Sequence, residues 1–307
     1  MTDRLQTQVG PITLRNPIML ASGTCGYGQE LTDFIDFNQI GGIVVKGTTL
    51  EARAGNATPR IFETPSGMLN AIGLQNQGVD EVIAHKLPWL QQFAGLSVWV
   101  NVCGSKIEDY AEVCRRLGQS GLAHAIELNI SCPNIKEGGI EFGTRADMAA
   151  GVTQACVSAS HLPVFVKLSP NVAPADQIAI AQAVMAAGAA GLSMINTLVG
   201  MMVDVEKRLP RIATVTGGLS GPAIKPVALA QIHKVYQAIK APIVGMGGIE
   251  TLEDLYSFAL VGSAAIQVGT STFIKTDTAM QLLRDLEQDL RRRGETFASY
   301  VGGIQLA

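Results

Sequence analysis

The sequence lacks paired cysteines. Its five cysteines stand singly along 307 residues, with no C-x-x-C motif and no spacing typical of a zinc or iron–sulfur centre. We therefore expect no metal site in this chain. An odd number of thiols, in a chain whose start has no apolar signal segment, is typical of a reducing compartment, so we expect a cytoplasmic protein.

The chain also lacks a basic block. Its net charge is -3, whereas binding along a nucleic-acid backbone needs a continuous positive track. The short basic run Arg291–Arg293 ends an apolar helical pattern, where it complements the helix dipole on a solvated face. We expect no nucleic-acid partner.

Two further absences concern dinucleotides and membranes. No G-x-G-x-x-G motif follows the first apolar run, which argues against a Rossmann NAD site. The uncharged stretch Ala183–Val203 has the length of a membrane span, but Gly188 and Gly191 interrupt it. This pattern is typical of a helix end, a turn and a buried strand, so we expect no membrane segment.

Short apolar runs alternate with helix-like stretches along the chain. Such runs are typical of parallel strands that are buried on both faces. The predicted strands are Pro17–Ala21, Gly42–Val45, Val98–Val102, Ala125–Ile130, Pro163–Leu168, Gly191–Ile195, Pro242–Met246 and Ala264–Val268. Helix-like stretches follow them, for example Asp80–Phe93, Ile107–Leu117, Ala146–Ser160, Ala175–Ala187, Lys225–Ile239 and Thr251–Leu260.

Eight such strands predict an α/β fold, a closed (β/α)8 TIM barrel. We expect one domain over residues 1–307, with active-site insertions in the βα loops and an N-terminal β-hairpin over Leu5–Leu14. An open doubly wound sheet is the alternative, although it usually has fewer strands.

Polar residues follow the predicted strands, at the end where TIM barrels carry their chemistry. Lysines and asparagines at that depth are costly to bury without partners, so we expect them to bind a large, planar, polar ligand. The residues at these strand ends, which we expect to line the ligand site, are Ala21, Ser22 and Gly23, then Lys46, Gly47 and Thr48, Asn101, Asn129, Lys167, Ile195, Asn196 and Thr197, Gly247 and Gly248, and Gly269 and Thr270.

The glycines after strands seven and eight predict a phosphate site, because backbone N–H groups in these loops commonly bind phosphate. The segment Gly217–Gly221, including Ser220, adds a further set of free amides. A phosphate together with Lys167 suggests FMN, since a lysine stabilises the negative charge of a reduced flavin. The alternative for Lys46 and Lys167 is that each extends its ammonium group to solvent.

The segment Glu127–Asn134, E-L-N-I-S-C-P-N, places Cys132 on the loop after the fourth strand. A thiolate there can act as a base toward a bound ligand. The alternative is a buried, apolar cysteine beside a turn. The polar residues at the other strand ends favour the catalytic interpretation.

Nine sequence motifs lie along the chain. They are A-S-G-T-C-G-Y-G at Ala21–Gly28, V-V-K-G-T-T at Val44–Thr49, G-M-L-N-A-I-G-L-Q-N at Gly67–Asn76, E-L-N-I-S-C-P-N at Glu127–Asn134, V-K-L-S-P at Val166–Pro170, I-N-T at Ile195–Thr197, G-G-L-S-G at Gly217–Gly221, G-M-G-G-I at Gly245–Ile249 and Q-V-G-T at Gln267–Thr270. Together these motifs resemble those of the class 1 dihydroorotate dehydrogenases, most closely the B-type, NAD-linked catalytic subunit, over essentially the whole chain.

The resemblance implies FMN-dependent oxidation of dihydroorotate to orotate in pyrimidine biosynthesis. Cys132 would remove the C5 proton while hydride passes from C6 to flavin N5. Lys46 would lie near the flavin and the substrate carboxylate, which backbone around Ile72, Gly73 and Leu74 would receive. Four asparagines, whose amides both donate and accept hydrogen bonds, would bind the edges of the pyrimidine ring. They are Asn70, Asn129, Asn134 and Asn196.

The B-type resemblance also implies partners. Electrons would pass to a subunit that carries FAD and a 2Fe-2S cluster and reduces NAD, with a homodimer of this chain at the core of a heterotetramer. A fumarate-using homodimer of the A-type remains an alternative. Cys25 and Cys103 depart from the family pattern and are interpreted as small apolar replacements, although oxidation of a second thiol near the site stays open.

Other classes of protein remain as alternatives. A dihydropyrimidine dehydrogenase domain or a tRNA dihydrouridine synthase also uses FMN and a cysteine, but the tRNA enzyme needs a basic surface. A non-catalytic flavin- or phosphate-binding barrel shares the fold. Such a module has no use for a thiol above the ring, so Cys132 with its neighbouring asparagines and Lys46 favours an enzyme.

Overall fold

The structure is a computed structural model that describes residues 4–131 and 142–306. In chain order its strands are β1 (Thr7–Val9), β2 (Ile12–Leu14), β3 (Ile18–Leu20), β4 (Gly42–Thr48), β5 (Ile61–Thr64), β6 (Gly67–Asn70), β7 (Ser97–Val102), β8 (Ala125–Asn129), β9 (Val164–Lys167), β10 (Gly191–Met194), β11 (Leu198–Gly200), β12 (Val203–Asp204), β13 (Leu209–Pro210), β14 (Gly217–Ser220), β15 (Ile243–Met246) and β16 (Ser263–Val268).

Eight parallel strands form a closed barrel in the order β10-β15-β16-β3-β4-β7-β8-β9. They correspond to the eight predicted strands, and the predicted (β/α)8 class is confirmed. The open-sheet alternative is wrong, because β10 pairs with both β9 and β15 and so closes the ring.

The helices lie between the strands, as predicted for most of the chain. They are α1 (Val79–Glu81), α2 (Leu87–Leu90), α3 (Ile107–Ser120), α4 (Ala146–Ala159), α5 (Pro174–Ala186), α6 (Lys225–Ile239), α7 (Leu252–Leu260), α8 (Ser271–Ile274) and α9 (Thr278–Arg293). No helix of the described ranges combines the length and the apolar character that a membrane crossing requires.

Two expectations about the helices need correction. Between β3 and β4 the described chain forms only a short 3-10 turn, Gln29–Leu31, instead of a barrel helix. The predicted helix Asp80–Phe93 is divided by a π-helical segment, Val82–Lys86, just before Pro88. Proline has no N–H and its ring displaces the carbonyl four residues earlier, so the regular hydrogen-bond ladder is interrupted there.

The N-terminal hairpin forms as predicted and closes the lower end of the barrel. Its strands β1 and β2 pair around Gly10, whose φ of 55° and close approach to the Ala190 carbonyl exclude a larger residue. Val9 and Leu14 of the hairpin pack in one buried cluster with Trp99 and Phe165, whose rings stack with centroids 4.3 Å apart.

Two loop insertions form a second sheet at the upper end, which confirms the predicted insertions. The loop after β4 contributes β5 and β6, and the loop after β10 contributes β11 and β14. The strand order is β11-β14-β6-β5, so β6 and β14 join two insertions that are far apart in the sequence.

Candidate active site

A buried carboxylate lies at the centre of the upper barrel. Glu127 on β8 is 0% exposed and accepts four hydrogen bonds. Its Oε1 accepts from Ser22 Oγ at 3.0 Å, Asn101 Nδ2 at 2.7 Å and Lys167 Nζ at 3.2 Å. Its Oε2 accepts from Gln267 Nε2 at 2.7 Å. One side chain thereby ties together the ends of β7, β9 and β16 and the residue after Ala21.

This arrangement keeps the carboxylate ionised. Burial by itself disfavours the charge of Glu127, but Lys167, followed by the amides of Gln267 and Asn101, outweighs burial and holds the pKa of the carboxyl below its usual value. The ammonium group of Lys167 also donates to Ser22 Oγ at 3.2 Å. Lys167 therefore does not extend to solvent, which was the alternative interpretation, since its side chain is only 7% exposed.

The barrel interior changes from apolar to polar within two residues on each of these strands. Side chains at positions i and i+2 of a strand point the same way. Trp99 precedes Asn101, and Phe165 precedes Lys167, in each case by two positions. Ala125 likewise precedes Glu127. The polar network therefore rests directly on the apolar layer that the hairpin closes.

Three predicted asparagines form a chain above Glu127. Asn129 Nδ2 donates to Asn101 Oδ1 at 3.4 Å, and Asn196 Nδ2 donates to Asn129 Oδ1 at 3.3 Å. Thr197 follows this chain, and its Oγ1 lies so close to Gly218 that a Cβ there would approach it to 2.2 Å. Ile195 is buried beside them, with its N–H donating to the Met246 carbonyl. The ends of β7, β8 and β10 therefore meet through amide groups.

The segment of Lys46, Gly47 and Thr48 lies inside a strand, not after one as predicted. Strand β4 runs on to Thr48, with an irregular register between Val45 and Thr48. A Cβ on Gly47 would lie 3.1 Å from Asn101 Oδ1, so the backbone passes close to the polar network. In the described part of the chain, Lys46 Nζ makes no hydrogen bond or ion pair, which leaves its charge available to a ligand.

The predicted phosphate loops come together on the other side of the barrel. Thr270 Oγ1 donates to Ser220 Oγ at 2.8 Å, and a Cβ on Gly248 would lie 2.7 Å from the Gly221 carbonyl oxygen. Gly247, Gly248 and Gly221 have φ values of 128°, 78° and 96°, a region that favours glycine. Gly269 lies between β16 and Thr270, where a Cβ would meet Ala21 at 3.5 Å. These loops form a cradle of backbone groups and two hydroxyls, those of Ser220 and Thr270.

The predicted substrate loop follows β6. Asn70 Nδ2 donates to the Gly218 carbonyl at 3.3 Å, which links the loop to β14. After Ile72, Gly73 has a φ of 75° and Leu74 a φ of 56°, so the chain turns sharply. A cavity of about 350 Å³, lined by Arg53, Asn56, Gly73 and Leu74 among others, opens beside this turn.

Several predicted residues are not tested by this geometry. Cys132 and Asn134 lie outside the described residues. Of the two departures from the family pattern, Cys25 is buried and donates to the Val44 carbonyl at 3.2 Å, and burial raises the pKa of its thiol to about 12. Cys103 is also fully buried. The placement of Cys25 favours a small apolar replacement, whereas Cys103 Sγ donates to Asn101 Oδ1 at 3.3 Å and so contacts the polar network.

Sequence analysis missed Glu127 and Gln267 as site residues. Glu127 was included in an apolar run, Ala125–Ile130, and Gln267 in the last strand. The available signal was chemical: a carboxylate within a strand that is buried on both faces needs a cationic partner. Lys167, one strand further along the chain, was the nearest candidate at an equivalent strand end.

Comparison with known proteins adds the following. The family model described as "Dihydroorotate dehydrogenase" matches residues 4–290. Relatives named "Dihydroorotate dehydrogenase B (NAD(+)), catalytic subunit" include one from Anoxybacillus flavithermus, 51% identical over 284 residues, covering 92% of this chain and 90% of that protein. Another, from Listeria monocytogenes, is 50% identical over 292 residues, covering 95% of both proteins.

A solved structure shares the fold. The crystal structure of DHODH from Eimeria tenella in complex with ferulenol aligns with a TM-score of 0.84 at 22% identity, and covers 98% of this chain and 89% of that chain. At this level of identity the likeness supports the barrel architecture alone.

The glycine cradle can be tested by a single methyl group. We expect Gly248→Ala to lower the free energy of unfolding by about 1–3 kcal/mol, because alanine is strained at this φ and its methyl would meet the Gly221 carbonyl. The matched control is Gly151→Ala, on an exposed position of α4 where the nearest atom lies 4.0 Å away. Urea unfolding should show no loss for Gly151→Ala; equal stability of both variants would contradict the close approach of the two loops.

Proposed function

Since the chain belongs to the dihydroorotate dehydrogenase family, we propose that it oxidises dihydroorotate to orotate, the step that supplies the pyrimidine ring for nucleotide synthesis. The observation that carries this proposal is identity of about half of all residues, over 92–95% of the chain, to relatives named as B-type catalytic subunits. The polar barrel end supports it as a site for a small, hydrogen-bonding ring, with its asparagine chain and with Lys46, whose ammonium group has no hydrogen bond or ion pair among the described residues.

The proposed cofactor is FMN. The chain's family is one of flavoproteins, and the residues fit the mononucleotide: the cradle of Ser220, Gly221, Gly248 and Thr270 offers backbone amides and two hydroxyls to a phosphate. Gln267 supports a ligand nearby, because its buried Oε1 has no hydrogen-bond partner within the described residues. Bound FMN would supply the hydride acceptor. We assign Lys167 to the electron-rich N1 and O2 edge of the flavin.

The proposed substrate groups are the asparagines and the turn after β6. Asn70, Asn129 and Asn196 present amides that both donate and accept, as a pyrimidine edge requires. Gly73 permits close approach of main-chain N–H groups to a carboxylate, and Lys46 adds a positive charge. Asn134 is assigned to the same ring by its motif.

Cys132 is proposed as the base that takes the C5 proton while hydride leaves C6. This assignment rests on the motif E-L-N-I-S-C-P-N and on the described residues that flank it: Asn129, at the end of β8, belongs to the asparagine chain, and Ser131 Oγ donates to the Lys167 carbonyl at 2.7 Å. Ser131, the last described residue before Cys132, thus lies beside the polar network.

The proposed electron route leads through a partner subunit to NAD. The relatives' name, a catalytic subunit of an NAD(+) enzyme, supports a separate electron-transfer subunit, to which we assign FAD and a 2Fe-2S cluster. In the described ranges no group of three or more histidine, cysteine, aspartate or glutamate residues is placed to hold a metal ion.

A homodimer is proposed as well, because the insertion after β10 exposes several large apolar residues: Val199, Met201, Val203, Val205 and Leu209.

The cofactor and the reaction can be tested together. We expect the purified chain to carry noncovalent FMN, identified by mass after extraction, and we expect dihydroorotate to bleach it without oxygen. The cradle fits one phosphate and the strand ends fit a pyrimidine. Recovery of FAD would contradict the phosphate assignment, and a flavin that dihydroorotate does not bleach would contradict the reaction.

Replacement of Cys132 tests the base. We expect Cys132→Ser to fold, keep FMN and bind orotate, but to reduce its flavin about 10²–10⁴-fold more slowly, because a hydroxyl is ionised far less than a thiol at neutral pH. The deficit should shrink as the pH rises. Stopped-flow bleaching measures the rate, and Cys25→Ser and Cys103→Ser are the controls with much smaller effects. A wild-type rate in Cys132→Ser would exclude this base.

The two-subunit route predicts what the chain does alone. We expect the isolated chain to reduce its flavin with dihydroorotate but to reduce NAD poorly, because it has no dinucleotide motif. Adding fumarate, NAD or a one-electron dye to the pre-reduced protein compares the acceptors directly. Rapid reoxidation by NAD would contradict the route through a partner, and rapid reoxidation by fumarate would favour the A-type alternative.

A further inference from the structure

Resting on the proposed flavin site, we propose that Glu127 is a positioning residue that sets the reduction potential of the flavin by offsetting the charge of Lys167. Glu127 would not touch substrate or flavin itself. It acts through the ammonium group that faces the flavin, and through the amide of Asn101.

Donors of the protein surround the carboxylate of Glu127. Glu127 is completely buried, and its donors come from Ser22, Asn101, Lys167 and Gln267, which follow or end four different strands. Three of these donors converge on Oε1 and one reaches Oε2, so both carboxylate oxygens are held by the protein. Because no part of Glu127 is exposed, a ligand in the site would not contact it, which excludes a direct role.

The hydrogen bonds of Lys167 hold its ammonium group in place. An ammonium group has three N–H donors, and two of them are committed, to Glu127 Oε1 and to Ser22 Oγ, each at 3.2 Å. Within residues 4–131 and 142–306 the third donor has no partner. Lys167 is thus held by its two contacts with one N–H left to point at a ligand.

The charge of the Lys167–Glu127 pair determines how strongly the site favours an anionic flavin. The Lys167–Glu127 pair is removed from solvent, with the two side chains 7% and 0% exposed, so water screens it little. A full positive charge at Lys167 would strongly favour an anionic reduced flavin, and the adjacent carboxylate reduces that preference. A flavin beside this pair would therefore accept hydride from the substrate and still release its electrons to the next acceptor.

A purely structural role makes a different prediction. If Glu127 only holds the strands together, removing its charge lowers stability and leaves the flavin potential unchanged. The two roles are separated by measuring the potential and the affinity for sulfite, which adds to flavin N5 to give an anionic adduct. Neither readout depends on turnover of dihydroorotate.

The test compares Glu127→Gln and Glu127→Asp with the wild-type holoprotein. Glu127→Gln keeps the shape but removes the negative charge, so we expect sulfite to bind about tenfold more tightly and the two-electron midpoint potential to rise by about 30 mV, the same factor expressed as a potential. Glu127→Asp keeps the charge on a shorter side chain that withdraws from Lys167, so we expect a smaller shift in the same direction.

The control is Asp289→Asn on α9. Asp289 also accepts from arginines and a tyrosine, namely Arg292, Arg293 and Tyr256, but it lies on the outer helix layer. Its removal should leave sulfite affinity and potential at wild-type values. A shift as large as that of Glu127→Gln would attribute the effect to net charge and overturn the proposal.

The outcomes are distinct. An unchanged or weaker sulfite affinity in a folded, flavin-containing Glu127 variant overturns the inference and leaves the proposed function intact. If Glu127→Gln does not fold, the sulfite affinity of Glu127→Asp decides in its place. If neither variant holds flavin, the proposed effect of Glu127 on the flavin's potential is rejected in favour of a structural role. A wild-type protein without flavin overturns both the inference and the proposed function.

Discussion

The upper half of the barrel depends on one buried ion pair. A carboxylate and an ammonium group without solvent are stable only when their geometry is good and their remaining hydrogen-bonding capacity is used. Glu127 and Lys167 meet that requirement because donors from β7, β16 and the loop after β3 converge on one carboxylate. The register of the barrel strands is therefore tied to the chemistry: a shift of one residue would turn these side chains outward.

The change from apolar to polar along each strand explains why the pair is tolerated. Trp99 and Phe165 stack in the lower layer, and the hairpin residues Val9 and Leu14 cover them from below. Water is thereby excluded from one side of the Glu127–Lys167 pair. The opposite, polar side of the pair faces the asparagines, where a ligand would lie.

Much of this architecture could be predicted from sequence because strands buried on both faces leave an unambiguous apolar signal. All eight barrel strands were located, and the asparagines and Lys167 were placed at their ends. The same signal concealed Glu127, since one charged residue within an apolar run does not change the pattern. The missing helix after β3 and the continuation of β4 through Lys46 were also not predicted. Both depend on close packing of loops, as at Gly47 against Asn101, which no local pattern records.

The pairing of β6 with β14 has a consequence for how the molecule assembles. Asn70 and the Gly218 carbonyl are 148 residues apart in the sequence, and the turn after β6 and the glycines after β14 take their positions from that pairing. Such long-range pairing closes a large loop, which costs conformational entropy. The residues of β5, β6, β11 and β14 are mostly half-buried or exposed, whereas barrel strands such as β7 and β16 are buried throughout, so the insertion sheet can open locally while the barrel stays closed. A chain in which the sheet has opened can keep its barrel intact and yet have no binding site, so occupancy by ligand, rather than the core, determines how long the assembled site persists.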